Sequence, residues 1–272
     1  MDSGLKDRVV VVAASGQGIG RATAEAFAAE GCKLAICARS TQNLRLAAGT
    51  IAGKHKVPVH CEGLDVRDAA AVRQFVANVA ERYGGVDVCV TNAGGPPAKG
   101  FLATTDEDWQ DAVELNLLSA VHFARAVIPH MQKKKWGRLI TITSLTVKQP
   151  VDELVLSNAV RAGVVGLVKS LANEFGKDGI LVNNVGPGYT ATARLKELAR
   201  SQAKAAGVSE EEIFQRWAAV SPLNRIARPE EVADAIVWLA SERASFITGQ
   251  TILVDGGAYK GLYNSFQKYI ST

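Results

Sequence analysis

Residues 9–31 read VVVVAASGQGIGRATAEAFAAEG. Val9 to Val12 form a β-branched run of the kind a central parallel strand shows when both of its faces are covered. Gly16, Gly18 and Gly20 let the backbone turn sharply and approach a ligand without Cβ interference. Ala22, Ala26, Phe27 and Ala29 give a helix small apolar residues for packing on a sheet. A helix N-terminus at such a turn offers unpaired N–H groups and a positive dipole end to a phosphate. The stretch reads as strand, phosphate-binding turn and helix, the unit that holds a dinucleotide pyrophosphate. By itself it would serve as well for an ordinary strand–helix turn, so the rest of the chain has to decide.

Strand-like and helix-like segments alternate downstream. Strands are expected at 33–37, 57–61, 86–91, 138–143, 180–185 and 251–254, and helices at 42–52, 68–83, within 105–130, up to about 175, across 192–217 and at 229–241. Gly84-Gly85 is a helix stop, Thr105 or Asp106 a cap, and Pro229 a helix start. This alternation predicts an α/β chain: a doubly wound parallel sheet of about seven strands, with right-handed crossovers and helices on both faces. No repeat, low-complexity tract or linker interrupts it, so residues 1–272 read as a single domain with an inserted, charged, alanine-rich segment at about 190–228.

The chain has 272 residues, 47% of them hydrophobic, and a net charge of +4. That balance is too mild to argue for nucleic acid. Lys133, Lys134 and Lys135 suit a helix C-terminus. Cys32, Cys37, Cys61 and Cys89 show no CxxC spacing and read as reduced thiols in a cytoplasmic protein. The polar start lacks the apolar core of a signal peptide, and no apolar run is expected to reach membrane-spanning length. The four histidines have no ligand spacing, so no metal is expected. Tyr263, Phe266 and Tyr269 would pack a C-terminal tail on a neighbouring subunit or on the chain itself.

Several short motifs then fall in one order: Gly18-Ile19-Gly20, Asp65-Val66, Asn92-Ala93-Gly94, Asn116, Ser144, Asn183 with Pro187-Gly188, Thr192, Thr248-Gly249-Gln250 and Asp255-Gly256-Gly257. In this set the chain resembles the short-chain dehydrogenase/reductase superfamily, near its 3-oxoacyl-acyl-carrier-protein-reductase-like members. The resemblance implies a Rossmann-type fold, a nicotinamide cofactor and a homotetramer or homodimer. It puts Ser15, Gly16, Gln17, Gly18, Ile19 and Gly20 around the pyrophosphate, and Asp65 and Val66 at the adenine, with Asp65 accepting a hydrogen bond. Asn92, Ala93 and Gly94 would lie along a ribose. Pro187, Gly188, Thr190 and Thr192 would run beside the nicotinamide. The family opens this turn with Thr-Gly; here Ala13-Ala14 stands there, and Ala14 is expected to keep a negative φ. After the second strand Ala38-Arg39-Ser40 replaces an acidic residue. Arg39 can pair with a ribose 2′-phosphate and Ser40 can donate to it, which favours NADP(H), with NAD(H) as the alternative.

The family reduces carbonyls with a Ser, a Tyr and a Lys four residues after the Tyr. Ser144 fits the serine, and Asn116 fits an asparagine that supports a water-linked proton path. Through Ala162-Gly163-Val164 the next helix puts Ser157 at the tyrosine and Arg161 at the lysine. A serine hydroxyl is a poor acid at neutral pH, whereas Arg161 stays charged and could hold the ribose. Tyr189 is the tyrosine expected near the nicotinamide, either as proton source or packed beneath the cofactor. Lys148, Asp152 and Glu153 are further proton candidates, read otherwise as a solvated loop lysine and helix-start carboxylates. Two functions follow. One is NADP(H)-dependent reduction of a 3-oxoacyl-like or other ketone, with an atypical proton donor and a small-molecule or acyl-thioester substrate. The other is a non-catalytic NADP(H)-binding regulatory or scaffolding protein. Neither nucleic acid nor membrane is expected as partner.

Overall fold

The computed structural model describes residues 2–261; the tail residues Tyr263, Phe266 and Tyr269 lie outside the described residues. The strands are β1 (Val9–Val12), β2 (Lys33–Ala38), β3 (Val59–Gly63), β4 (Val88–Thr91), β5 (Gly137–Ile142), β6 (Ile180–Pro187) and β7 (Thr251–Val254). They form one sheet in the order β3-β2-β1-β4-β5-β6-β7, with every pairing parallel. The helices are α1 (Gly18–Ala29), α2 (Thr41–His55), α3 (Ala69–Tyr83), α4 (Asp106–Ala112), α5 (Ser119–Lys134), α6 (Val155–Phe175), α7 (Ala193–Ala206), α8 (Glu210–Val220) and α9 (Pro229–Ala240). The expected doubly wound α/β fold is what the chain adopts.

The valine run of β1 explains itself in this sheet. Val9 and Val11 pack with α3, α5 and α6, while Val10 and Val12 pack with α1, α2 and α9. A strand covered on both faces needs apolar residues at every position rather than at alternate ones. Strand order reverses between β1 and β4. At that switch point the crossovers leave in opposite directions and open a crevice at the carboxyl ends of the strands.

Boundaries shift where turn chemistry decides them. β3 starts after Pro58, and β4 starts at Val88 rather than Val86. The segment expected to be helical across 192–217 is made of two helices, α7 and α8. Gly207 ends α7 at φ +67°, and Ser209 caps α8 by accepting from Glu212 N–H. Together they close a small core of their own around Leu195, Ala199, Ala203, Ile213 and Trp217. Contrary to expectation, the segment Val155–Asp178 is long and apolar enough to cross a membrane. Its Val164, Val168 and Ala172 lie in the core beneath the sheet, so its apolar character serves packing.

Candidate active site

A cleft of about 740 Å³ lies over the carboxyl ends of the central strands, roofed by α7. Gly16, Gln17, Gly18 and Ile19 form its first wall. Gly18 has φ +58°, and a Cβ there would press on the Thr192 side chain at 3.3 Å. Gln17 occupies the N-cap of α1 without a side-chain cap bond, so the first-turn N–H groups remain free for an anion. Gly20 serves differently: a Cβ there would collide with the Ala14 carbonyl, so Gly20 allows the turn to close and does not line the cleft. Ala14 itself corrects the sequence reading, because its φ is +49°. The chain takes the left-handed conformation here although a Cβ is present.

Ser15 is also placed otherwise than expected. It is wholly buried. Its N–H donates to Cys37 O at 3.1 Å, and its hydroxyl turns to Val12 O at 3.0 Å. Both donors pin the turn to the sheet, and none is left for a phosphate. Asp65 likewise stands outside the cleft. Its carboxylate accepts from Arg67 Nη2 at 2.8 Å, from Arg67 Nε and from Arg67 N–H, and the Arg67 pair holds its pKa below the ordinary carboxylate value. It is therefore committed within its own turn, while Val66 lines the cleft.

Arg39 and Ser40 reach the cleft as expected. Ser40 doubles as N-cap of α2, accepting from Asn43 N–H. Asn92, Ala93 and Gly94 follow β4 along the floor, and a Cβ on Gly94 would meet only open space. Across the gap, Arg194 of α7 donates to Pro96 O at 3.1 Å. Pro187, Gly188, Thr190 and Thr192 line the side beside β6. Thr190 donates to Gly188 O at 3.1 Å. Thr192 accepts from Leu195 N–H at 3.2 Å, so its own proton remains free to donate.

The inner end collects the hydroxyls. Ser144 Oγ accepts from Thr146 N–H at 3.2 Å. Thr146 Oγ1 lies 3.3 Å from Ser157 Oγ. All three residues line the cleft. Thr146 was missed from sequence; its one signal is a hydroxyl residue two positions after Ser144. Arg161 stands one helical turn beyond Ser157, only 8% exposed. Its Nη1 donates to Thr143 O at 2.8 Å and Ile142 O at 3.4 Å. Burial pushes its pKa down to about 10, which leaves it cationic at neutral pH.

The remaining candidates separate. Asn116 lies in a single π-helical segment, Val113–Leu118, between α4 and α5. It donates to Ala112 O at 3.3 Å, while its Oδ1 is buried without a partner among the described residues. It does not line the cleft. Such π segments recur at functional positions. Tyr189 does line the cleft, but its ring stacks on Trp217, centroids 5.0 Å apart, and burial alone raises its pKa. Lys148, Asp152 and Glu153 are exposed and outside the cleft. The two acids precede α6, whose first turn holds no acidic residue. Among the described residues no cluster of His, Cys, Asp and Glu is placed to hold a metal.

These residues fit a phosphate-bearing dinucleotide: an open N-terminal helix turn, an arginine lining the same cleft, and a glycine at 18 where a Cβ would press on Thr192. A family model described as enoyl-(acyl carrier protein) reductase matches residues 13–259. The chain is 32% identical over 259 residues to the 3-oxoacyl-acyl-carrier-protein reductase FabG of Aquifex aeolicus, covering 95% of this chain and 100% of that one. The fold matches L-sorbose reductase from Gluconobacter frateurii, solved with NADPH and L-sorbose, at TM-score 0.92 and 35% identity, over 96% of this chain and 100% of that one. It also matches an actinorhodin polyketide ketoreductase solved with NADPH, at TM-score 0.89 and 33% identity, over 93% and 97% of the two chains.

Proposed function

The chain belongs to the short-chain dehydrogenase/reductase superfamily, and on that premise we propose that it is an NADP(H)-dependent reductase of a carbonyl compound, a 3-oxoacyl-like or other ketone. The observation that carries the reading is one continuous cleft with an open pyrophosphate turn and Arg39 at one end and Ser144 at the other. The NADPH bound in the two solved relatives supports the same cofactor here. The reading includes a cytoplasmic homodimer or homotetramer and a small-molecule or acyl-thioester substrate.

When bound, the nicotinamide supplies a hydride to the carbonyl carbon. Gln17 to Ile19 and the α1 N-terminus would hold the pyrophosphate, Arg39 and Ser40 the 2′-phosphate, and Thr190 and Thr192 the carboxamide. Ser144 Oγ already accepts from Thr146 N–H, so its own proton is free to polarise a carbonyl oxygen. By the resemblance to the family's pattern, Ser157 would stand in place of the proton-donating tyrosine and Arg161 in place of the lysine. Ser157 is too weak an acid to replace a tuned phenol. The Thr146–Ser157 hydroxyl pair instead orients a water that delivers the proton, and Arg161 takes the lysine's place at the ribose. Tyr189, whose pKa burial raises, lacks the cation that would make it a good donor.

The test is NADPH oxidation across a carbonyl panel by the wild type, Ser144→Ala and the double variant Ser157→Tyr with Arg161→Lys. We expect wild-type turnover, reduced on the order of 100-fold in Ser144→Ala, the size of losing one donor to a developing oxyanion. Silence from the wild type, with activity appearing in the double variant, would overturn the reductase reading in favour of a cofactor-binding protein. Arg161→Ala should weaken NADPH binding; unaltered affinity would remove Arg161 from the ribose.

A further inference from the structure

We propose that Asn158 is a specificity-determining positioning residue: it fixes Val151 and Leu154 as one wall of the substrate end of the cleft, and that wall selects ketones carrying an apolar chain. The proposal deepens the reductase reading and rests on it for the reaction, though not for the binding.

Three observations lead there. The first is a two-way clasp. Asn158 Nδ2 donates to Val151 O at 2.9 Å, and Asn158 Oδ1 accepts from Val151 N–H at 3.3 Å. One side-chain amide thus meets both backbone polar groups of a single residue, as a neighbouring strand would. Val151 and Leu154 line the cleft, whereas Asn158 does not. Its side chain therefore acts on the lining and not on a ligand. The second is strain. Val151 O also accepts from Leu154 N–H at 3.2 Å, which closes a tight turn over Asp152 and Glu153. Glu153 takes φ +59° there, a left-handed conformation that a non-glycine residue keeps only where its surroundings hold it. The turn's own hydrogen bond is one restraint, and the Asn158 clasp adds two more at the same residue.

The third is where the held residues stand. Leu154 forms a parallel bridge with Lys99 of the floor loop, and Lys99 Nζ pairs with Asp108 of α4 at 2.6 Å. The turn is therefore tied to α6 through Asn158 and to α4 through Lys99. Ala98, directly before Lys99, lines the cleft with Val151 and Leu154. Arg194 joins Pro96 of the same loop to the roof, next to Leu195 and Leu198, which also line the cleft. Turn, floor loop and roof thus each bring apolar side chains to the lining. Ser157, directly before Asn158, belongs to the hydroxyls of the inner end, so clasp and hydroxyls are carried by the same turn of α6. A wall of this composition takes an alkyl or acyl chain out of water, and it does so fully only while its parts are held in place.

The experiment is calorimetric titration of the NADP⁺-saturated protein, in which no hydride transfer to a ketone takes place. The probes are 2-butanone, 2-hexanone and 2-octanone. In the wild type we expect affinity to rise about fourfold for each added methylene, the scale of burying one such group. In Asn158→Ala the gain should fall below about twofold per methylene, because a wall free to move buries less of the chain. Asn158→Asp separates the clasp from the volume of the side chain. At neutral pH its carboxylate cannot donate to Val151 O, so it should lose the gain as the alanine variant does. A carboxylate near the N-terminus of α6 suits the helix dipole, so this variant keeps the test open if Asn158→Ala does not fold. NADPH affinity should be unchanged in both variants; an equal loss there would mark a merely structural residue and overturn the proposal. A flat series in the wild type would also overturn it, as would a wild-type gain preserved in either variant. Because binding is read without turnover, a protein that never oxidises NADPH could still show the chain-length gain, so the two readings fail separately.

Discussion

Ala14 shows how a single residue can depart from its family's pattern without breaking the turn. Its φ of +49° is a conformation that costs an L-residue roughly 1–2 kcal/mol, and the turn needs it because the Ala14 carbonyl must fold over Gly20. Ala14→Gly removes that strain but gives the unfolded chain more freedom, worth about 0.4–1 kcal/mol. We expect urea denaturation to show equal or higher stability, by up to about 1 kcal/mol. A loss of that size, usual for Ala→Gly in regular structure, would refute the left-handed conformation. Arg39 carries the cofactor preference at the same scale. Arg39→Ala should weaken NADPH binding about tenfold while leaving NADH nearly unchanged, as expected of one charge-assisted phosphate contact. Fluorescence titration decides it, and equal affinities for both cofactors in the wild type would refute it. Residue types were legible in the sequence, but what they face was not. Ser15 and Asp65 occupy motif positions, yet Cys37 O and Arg67 claim their polar atoms.

Helix caps govern behaviour at the scale of elements. α9 begins with a capping arrangement in which Glu231 accepts from Arg228 N–H at 2.8 Å. It also forms a two-pronged pair with Arg225 at 2.7 and 2.8 Å. Arg225 and the cap lower the Glu231 pKa from 4.5 to about 2. A carboxyl depressed in the folded state adds stability that is present in full above its unfolded value and lost as pH falls through the folded one. Thermal melts should therefore lose this contribution between pH 4.5 and about 2. Glu231→Gln should lower the melting temperature at neutral pH and flatten that acid limb; an unchanged limb would remove Glu231 from it. Pro229 marked this helix start from sequence alone. The break at Gly207 within the roof and the π segment at Asn116 were not read, because both depend on where two helices must meet.

Over the whole molecule, packing divides the chain into a sheet with two covered faces and a roof that holds its own small core. Segments with few shared contacts open with less free energy than the global transition. Amide exchange should therefore be slowest in β1, β4 and β5 and fastest among helices in α7 and α8, with NADPH slowing the roof selectively. Mass spectrometry of exchange checks this, and equal protection of roof and central strands would contradict it. The order of strands and helices, the glycine turn, the NADP(H)-type strand end and the serine of the inner site were all written in local sequence. Each depends on residues adjacent in the chain: β-branched runs, glycines at a turn, caps at helix starts. Only the tertiary structure decided that Thr146 joins Ser144 to Ser157, that Asp65 is spent on Arg67, and that Arg161 lies buried in a cleft lined by no carboxylate. Burial, charge balance and hydrogen-bond pairing arise between segments far apart in the chain, and folding brings them together.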